Sequence, residues 1–254
     1  YTHDLFTGFA LSFIRKNQDK PFFLYLPYTV PHAQFEIPDL GPYENKEWPE
    51  QAKVYAAMIT RMDDHIGKIM ALLKELLIDK KTIVFFCSDN GAANRYDGLF
   101  DSSGPLRGAK RAMYEGGLRT PMIARWPGRI PVNTASDAIW SFADFLPTVA
   151  ALARAKAPKG LDGISVLPEL LGQAQQTNDR FLYWEFFERG FQQAARWGNW
   201  KVVRPKKEAD LELYNLAKDI GEKKDVANLN PEIVSLFERF LKTARTESKD
   251  WPLK

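Results

Sequence analysis

A single cysteine, Cys87, stands among 254 residues, which excludes an intrachain disulfide and leaves the redox compartment open. Charge of one sign is equally scarce. Thirty-five Lys and Arg against 32 Asp and Glu leave +3, too small a surplus to argue for nucleic acid or an anionic membrane as partner. A substrate anion would therefore be met by locally placed cations. No apolar run approaches the roughly 20 residues that cross a bilayer, and there is neither an internal repeat nor a low-complexity tract. The chain opens on Tyr1 without a signal-like segment, so the expectation is that any targeting peptide has been removed or lies upstream, with an N-terminal piece missing. What is present is ordinary globular composition, 45% hydrophobic and 26% charged, at a length suited to one large domain or one domain with an appendage.

The most informative stretch runs from Lys81 to Pro121. Ile83-Val84-Phe85-Phe86-Cys87 reads as a strand buried on both faces, halted by Ser88-Asp89-Asn90-Gly91. Asp89 and Asn90 offer a carboxylate and an amide oxygen side by side, which suits a hard cation such as Ca²⁺ or Mg²⁺; Asx-Asx-Gly after a strand is equally a plain turn. Lys110, in the glycine-rich loop Arg107-Gly108-Ala109-Lys110, adds a point charge on a flexible stem that can hold an oxyanion. A second apolar run, Phe22–Leu26, opens after Pro21 and predicts another buried strand, with His32 just past its end. Parallel strands would bring His32, Asp89 and Asn90 to one sheet edge, where a neutral imidazole can give or take a proton; a structural hydrogen bond is the other reading of His32. His3 and His65 are given no role.

Leu5, Phe6, Phe9, Ala10, Phe13 and Ile14 recur at helical spacing and predict an amphipathic helix whose apolar side packs in the core. Residues 35–49 predict an ordered surface loop, and Glu50 to Leu77 a long helix with Tyr55, Ile59, Met62, Ile66, Ile69, Leu73 and Leu77 on its apolar face. Its adjacent Asp63 and Asp64 point about 100° apart and read as solvated. The loop from Ala92 to Pro105 carries Asp97, Asp101, Ser102 and Ser103. Met122–Trp126 predicts a strand, and Ile139–Leu152 a helix containing Pro147. The polar tract from Gly172 to Asn178 is the best candidate boundary. Beyond it, Arg180–Phe186, Ala194–Trp197, Trp200–Arg204 and Leu211–Leu216, with Gly198-Asn199 as a turn, predict a small antiparallel sheet; a last helix from Pro231 covers one of its faces.

Ser88-Asp89-Asn90-Gly91, the string from Pro105 to Pro121 and the matches at Pro31-His32, Met62–Gly67, Arg125–Gly128, Asp144–Thr148, Leu161–Pro168 and Leu213–Asp219 closely resemble the type I sulfatases of the alkaline-phosphatase superfamily. The resemblance implies an α/β fold, an alkaline-phosphatase-like sandwich of mostly parallel or mixed sheet with helices. Residues 1–172 would hold the C-terminal portion of its catalytic domain, and 178–254 a small α+β subdomain with an antiparallel sheet. It implies sulfuric ester hydrolysis by a formylglycine made from a cysteine or serine in a C-x-P-S-R-like or S-x-A-x-R-like motif. A metal, calcium rather than magnesium, would be held by an N-terminal aspartate pair, the formylglycine and the pair matched by Asp89 and Asn90. Lys110 matches the lysine on the substrate sulfate, and His32 the histidine thought to contact the ester and assist the leaving oxygen.

This sequence departs from that pattern at the nucleophile. Cys87 is followed by Ser88-Asp89-Asn90, and no serine heads a maturation motif. The expectation is that the chain is the C-terminal part of a sulfatase, carrying half of the metal site and unable to turn over alone. Its partners would be a sulfate ester, as sulfated glycan or aryl sulfate, and the missing N-terminal half of the domain, with neither nucleic acid nor membrane; the family's exported bacterial members imply a periplasmic or secreted protein. The alternatives are a phosphodiesterase or phosphonate hydrolase of the same superfamily, and a non-catalytic sulfatase-like module that binds anions.

Overall fold

The computed structural model describes residues 1–254 apart from Gln176, Asn178, Arg189, Trp251, Leu253 and Lys254. Two positions of the expected boundary tract, Gln176 and Asn178, thus lie outside the described residues. The chain divides into two compact units, the first made of Tyr1–Val84 and Ala124–Arg129, the second of Phe85–Ile123 and Ile130–Lys254. No helix among the described residues is long and apolar enough to cross a membrane.

In the first unit, α1 (Thr2–Asn17) packs on α2 (Glu50–Glu75). Ile14 meets Leu72 and Leu73 in a core joined by Phe22, Leu24 and Ile69. Asp4 receives two hydrogen bonds from Arg61 at 2.7 and 2.6 Å, and Arg15 pairs with Glu75 at 2.8 Å, so ion pairs join the helices at both ends. Of the expected apolar side of α1, only Ala10 and Ile14 are buried. Leu5 and Phe9 are 60% and 69% exposed, and Phe6 and Phe13 are exposed too, while His3, Thr7, Ala10 and Ile14 form the seam. Thr7 and Ala10 are small and let α2 approach closely, which the row of phenylalanines would prevent. The expected face of α2 is likewise covered only in part: Leu73 is buried and Ile69 packs beside it, but Ala52, Ala56, Ala57 and Met58 are buried as well, whereas Ile59 and Leu77 are exposed. The helix stops at Glu75, and Leu77 sits beyond it with φ 58°.

Phe22–Leu26 is not a strand. It runs extended with alternating exposure, Phe22, Leu24 and Leu26 turned partly inward and Phe23 and Tyr25 outward, but its one backbone hydrogen bond among the described residues is local, from the Tyr28 N–H to the Leu26 carbonyl, and no strand pairs with it. Burial alone selects an extended conformation; a strand also needs a neighbour's hydrogen bonds. Arg125 binds Asp79 at 2.6 and 3.0 Å and Trp126 donates its indole N–H to the Lys80 carbonyl, holding 124–129 within this unit.

β1 (Val84–Cys87) pairs with β2 (Met122–Arg125) in a two-stranded sheet, with α3 (Glu115–Leu118) preceding β2 in sequence. β1 is only half-buried, and Cys87 at its end is exposed. This corrects the expectation of a strand covered on both faces: one paired neighbour leaves its surfaces open. α4 (Phe145–Leu152) begins later than the sequence suggests, because Ser141 and Asp144 form a capping box around a single 3₁₀ turn. Pro147 then lies in the first turn of α4, where no intrahelical N–H is needed. The short α5 (Leu167–Leu170) follows.

The rest of the second unit is organised on an antiparallel sheet in the order β3 (Phe181–Phe186), β4 (Gln192–Trp197), β5 (Trp200–Arg204), β6 (Glu212–Asn215). Gly198, at φ 55°, supplies the left-handed turn that brings Trp197 opposite Trp200. Alternation gives the sheet two apolar faces. Ala195, Val202 and Leu213 pack against Phe237 of α6 (Pro231–Leu241), while Ala194, Val203 and Tyr214 pack against Met113 and Tyr114. Trp184 packs against the second of these clusters and Trp197 and Trp200 against the first.

Candidate active site

The loop beyond β1 owes its shape to glycine. Gly91 donates its N–H to the Gly117 carbonyl at 2.9 Å, Lys110 donates its backbone N–H to Ala92 at 2.8 Å, and Gly116 donates to Arg107 at 2.8 Å. These bonds stitch the exit of β1 to the Arg107–Leu118 loop. The approach is too close for side chains: a Cβ on Gly91 would lie 2.1 Å from the Gly116 carbonyl oxygen, and one on Gly117 2.1 Å from that of Ala112.

On this frame Asp89 is exposed and Asn90 half-buried, and the Asn90 amide donates to Asp89 Oδ1 at 2.6 Å. Lys110 is half-buried, and its ammonium has no side-chain partner among the described residues. The structure therefore brings Asp89, Asn90 and the Lys110 backbone into one stitched loop cluster of the second unit. His32 belongs to the first unit; it is exposed, and its Nδ1 lies 2.7 Å from the Ala33 carbonyl. Because Phe22–Leu26 is unpaired, the expectation that two parallel strands carry His32 and Asp89 to a common edge loses its premise.

The oxygen donors of Asp89 and Asn90 have the chemistry a hard cation requires, but two donors do not complete a protein cage. Among the described residues no group of three or more His, Cys, Asp or Glu converges. Cys87 is a poor nucleophile for a reason other than the expected burial. Its residue is exposed, yet partial desolvation of the sulfur and then the Asp89 charge push the thiol pKa up, which lowers the thiolate fraction. Of the loop polar groups, Asp101 and Ser102 are exposed, and the Asp97 side chain lies outside the described residues.

Sequence reasoning missed the support under this loop. Lys201, fully buried in β5, lies 3.0 Å from Glu115 Oε1 and 2.9 Å from Glu222 Oε1; Arg196 adds a contact to Glu115 at 3.3 Å. The Glu115 backbone N–H donates to Glu222 Oε2 at 2.7 Å. Glu222 has left-handed backbone at φ 49° and no solvent exposure. Desolvation raises its pKa, and the Lys201 charge offsets this in part. Alongside, the Arg107 guanidinium lies 3.8 Å from the centre of the Tyr114 ring and donates to Tyr214 Oη and to the Glu222 carbonyl. Tyr114 and Tyr214 both donate to Glu212 at 2.7 Å, and burial, followed by that carboxylate, holds both phenols protonated. The available signal was Lys201 itself, which shares a strand face with the apolar Val203.

The sulfatase family profile matches residues 1–155, and that of the N-sulphoglucosamine sulphohydrolase C-terminal region matches 108–247. The chain is 37% identical over 182 residues to the N-acetylgalactosamine-6-sulfatase of Canis lupus familiaris, covering 69% of this chain and 33% of that protein. To the steryl-sulfatase of Mus musculus it is 33% identical over 202 residues, covering 76% of this chain and 31% of that one. The crystal structure of Ps i-CgsB in complex with k-i-k-neocarrahexaose matches with a TM-score of 0.88 at 29% identity, over 100% of this chain and 57% of the other. The chain thus spans about a third of the length of the curated relatives it matches. With the profile covering more than half of its residues and an α/β fold shared over its whole length, the chain belongs to the sulfatase family, within the alkaline-phosphatase superfamily.

Proposed function

We propose that this chain supplies part of the catalytic centre of a sulfuric ester hydrolase acting on a sulfated glycan or aryl sulfate, residues 1–172 forming catalytic domain and 178–254 a C-terminal subdomain. The observation that carries the reading is the stitched loop, which holds Asp89, Asn90 and Lys110 on one frame. Asp89 and Asn90 would hold calcium through their side-chain oxygens, and the cation would neutralise charge on the sulfuryl group. Where a nucleophile from outside this sequence forms the new bond to sulfur, Lys110 would place its ammonium against a sulfuryl oxygen and His32 would pass a proton to the departing alcohol oxygen as the ester S–O bond breaks. No residue of this sequence fits a formylglycine: Cys87 lacks the maturation motif and no serine replaces it. The isolated chain accordingly binds but does not turn over.

Two measurements test this. With an aryl sulfate at saturating Ca²⁺, the chain should show no multiple turnover; turnover abolished by Lys110→Ala would uphold the site and overturn the incompetence. Titration calorimetry should show calcium bound no tighter than about 10⁻⁴ M, and Asp89→Ala should abolish it. Tight binding unaffected by Asp89→Ala would overturn the metal assignment.

A further inference from the structure

The two faces of the C-terminal sheet are used differently. One face, through Ala194, Val203 and Tyr214, packs on Met113 and Tyr114, three and four residues beyond Lys110. The other is covered by α6 through Ala195, Val202 and Leu213. Gln193 and Arg204, each two residues along from Ala195 and Val202, share this second face with Tyr183, which stands opposite Ala195. Beside the last turn of α6 these three line a groove of 540 Å³ together with Phe191, Lys207 and Lys242, a size typical of small-molecule sites.

The inner polar groups of the groove are held in place by one another. Arg204 donates to Gln193 Oε1 at 2.8 Å and to the Ala209 carbonyl at 2.6 Å, and the Gln193 amide donates to Tyr183 Oη at 3.3 Å. Tyr183 in turn donates to Glu185 Oε2 at 2.7 Å. Arg245, on the same lining, is offset by Glu185 and Glu247. Arg204 is not offset: it is half-buried, its partners are neutral, and no carboxylate among the described residues pairs with it. Lys207 and Lys242 are exposed and, like the groove's Glu238, make no side-chain hydrogen bond or ion pair among the described residues. A partly desolvated guanidinium without a countercharge, flanked by two free ammonium groups, favours an anion. The free carboxylate accepts hydroxyl donors, and Phe191 offers a half-buried aromatic surface.

We propose that this groove, on the opposite sheet face from the Lys110 loop, binds an anionic saccharide. The sugar ring lays its C–H face on Phe191, its sulfate or carboxylate group meets Arg204, Lys207 and Lys242, and a ring hydroxyl donates to Glu238. An aryl anion would leave Glu238 without a donor, and a polyanion such as nucleic acid would meet it as a like charge. The site is separate from the proposed catalytic centre and does not depend on that reading.

Titration calorimetry on the whole chain compares a monosulfated disaccharide, a uronate disaccharide, a neutral disaccharide and inorganic sulfate. At least one anionic disaccharide should bind, with the neutral one and inorganic sulfate at least about 10-fold weaker. The double variant Lys207→Gln, Lys242→Gln should weaken that binding by about 10-fold or more, as the loss of a charged hydrogen bond does, and leave the urea midpoint unchanged. Arg204→Gln should weaken it similarly. Phe191→Ala should weaken disaccharide binding without changing that of inorganic sulfate. Binding by neither anionic disaccharide, or binding that survives both Arg204→Gln and the double variant, would overturn the site. Equal binding of the neutral disaccharide would overturn the role of the anion, and inorganic sulfate binding as tightly as the disaccharides would overturn the saccharide. Binding lost in Lys110→Ala and indifferent to the groove variants would refute the groove while leaving the Lys110 site standing; binding retained in Lys110→Ala and lost in the groove variants would uphold the groove whatever becomes of the catalytic reading.

Discussion

Replacing Lys201 with methionine keeps the length and most of the apolar stem of the side chain while removing one charge, so packing is nearly conserved and the loss is electrostatic. Lys201 is wholly buried between Glu115 and Glu222, at 3.0 and 2.9 Å. Breaking a buried pair from one side costs about 3–5 kcal/mol, because a desolvated charge is left behind. Here the lower end applies, since Glu115 keeps Arg196 at 3.3 Å and Glu222 keeps the Glu115 N–H at 2.7 Å. Followed by tryptophan fluorescence in urea, and with a slope of about 3 kcal/mol/M, the midpoint should fall by about 1 M.

The pH dependence gives a second signature. Glu222 already has a raised pKa in the folded chain, and the loss of Lys201 raises it further. A carboxyl whose folded pKa lies above its unfolded value contributes stability below the unfolded pKa and loses it as pH rises through the folded one. Lys201→Met should therefore approach the parent near pH 5 and diverge at neutral pH. Adding Glu222→Gln should recover much of the deficit and flatten the profile. A midpoint shift below about 0.3 M at pH 7, equivalent to less than about 1 kcal/mol, would mean that the triad contributes no more than an exposed ion pair, and the reasoning would fail.

Burial, and then the neighbouring His65, push the pKa of His3 down from 6.5 to about 4. The unfolded chain binds a proton in that window and the folded one does not, so about 1–3 kcal/mol present above pH 6.5 should be lost as pH falls toward 4; His3→Phe should flatten that part of a urea-midpoint profile. Gly117→Ala sets a methyl 2.1 Å from the Ala112 carbonyl oxygen and should cost about 2 kcal/mol or more; calorimetry should then show weaker calcium binding although Gly117 carries no ligand atom. Asp144 is fully buried, binds Arg180 with both oxygens and accepts backbone N–H groups of Ser141 and Ile164 at 2.7 and 2.8 Å. Asp144→Asn leaves Arg180 without its countercharge and should cost about 3–5 kcal/mol in a denaturation experiment.

Where one periodicity determined an element, the sequence was enough. The four-stranded sheet was legible from alternation and the Gly198 turn, and α6 from its apolar stripe behind Pro231. The direction an element faces was not legible. In α1 the bulkier, more apolar row is the exposed one, because helix proximity favours Thr7 and Ala10 and a composition pattern does not reveal what stands on the other side. Phe22–Leu26 shows the same limit: the apolar run was readable, but not that it would be extended with Phe23 and Tyr25 exposed and without a pairing strand among the described residues. In the candidate site, Asp89, Asn90 and Lys110 were singled out by their donor chemistry after the apolar run and by the resemblance of the strings around them, while the close backbone contacts of their glycines emerge only in the structure. Lys201, Glu115 and Glu222 left none, since charged residues are usually solvated and the contacts join positions 86 and 107 residues apart.

That hidden triad gives the C-terminal sheet a bearing on the candidate site through the loop they share. Glu115 starts the turn whose next residues, Gly116 and Gly117, bond to Arg107 and Gly91, and Gly91 directly follows Asn90. A shift of Glu115 relative to β5 must therefore be absorbed within two residues that have no room for even a methyl group. Tight backbone contact on one side and a buried ion triad on the other leave the loop few alternative positions. Among the described residues Lys110 has no side-chain partner, and its backbone is held by its N–H on Ala92 and by the turn closed by Gly116 on Arg107. A cation held in this way stays available to an incoming anion. An ion-paired lysine would have to give up a partner first, whereas the ion pairs that hold this loop are made at Glu115 and Lys201.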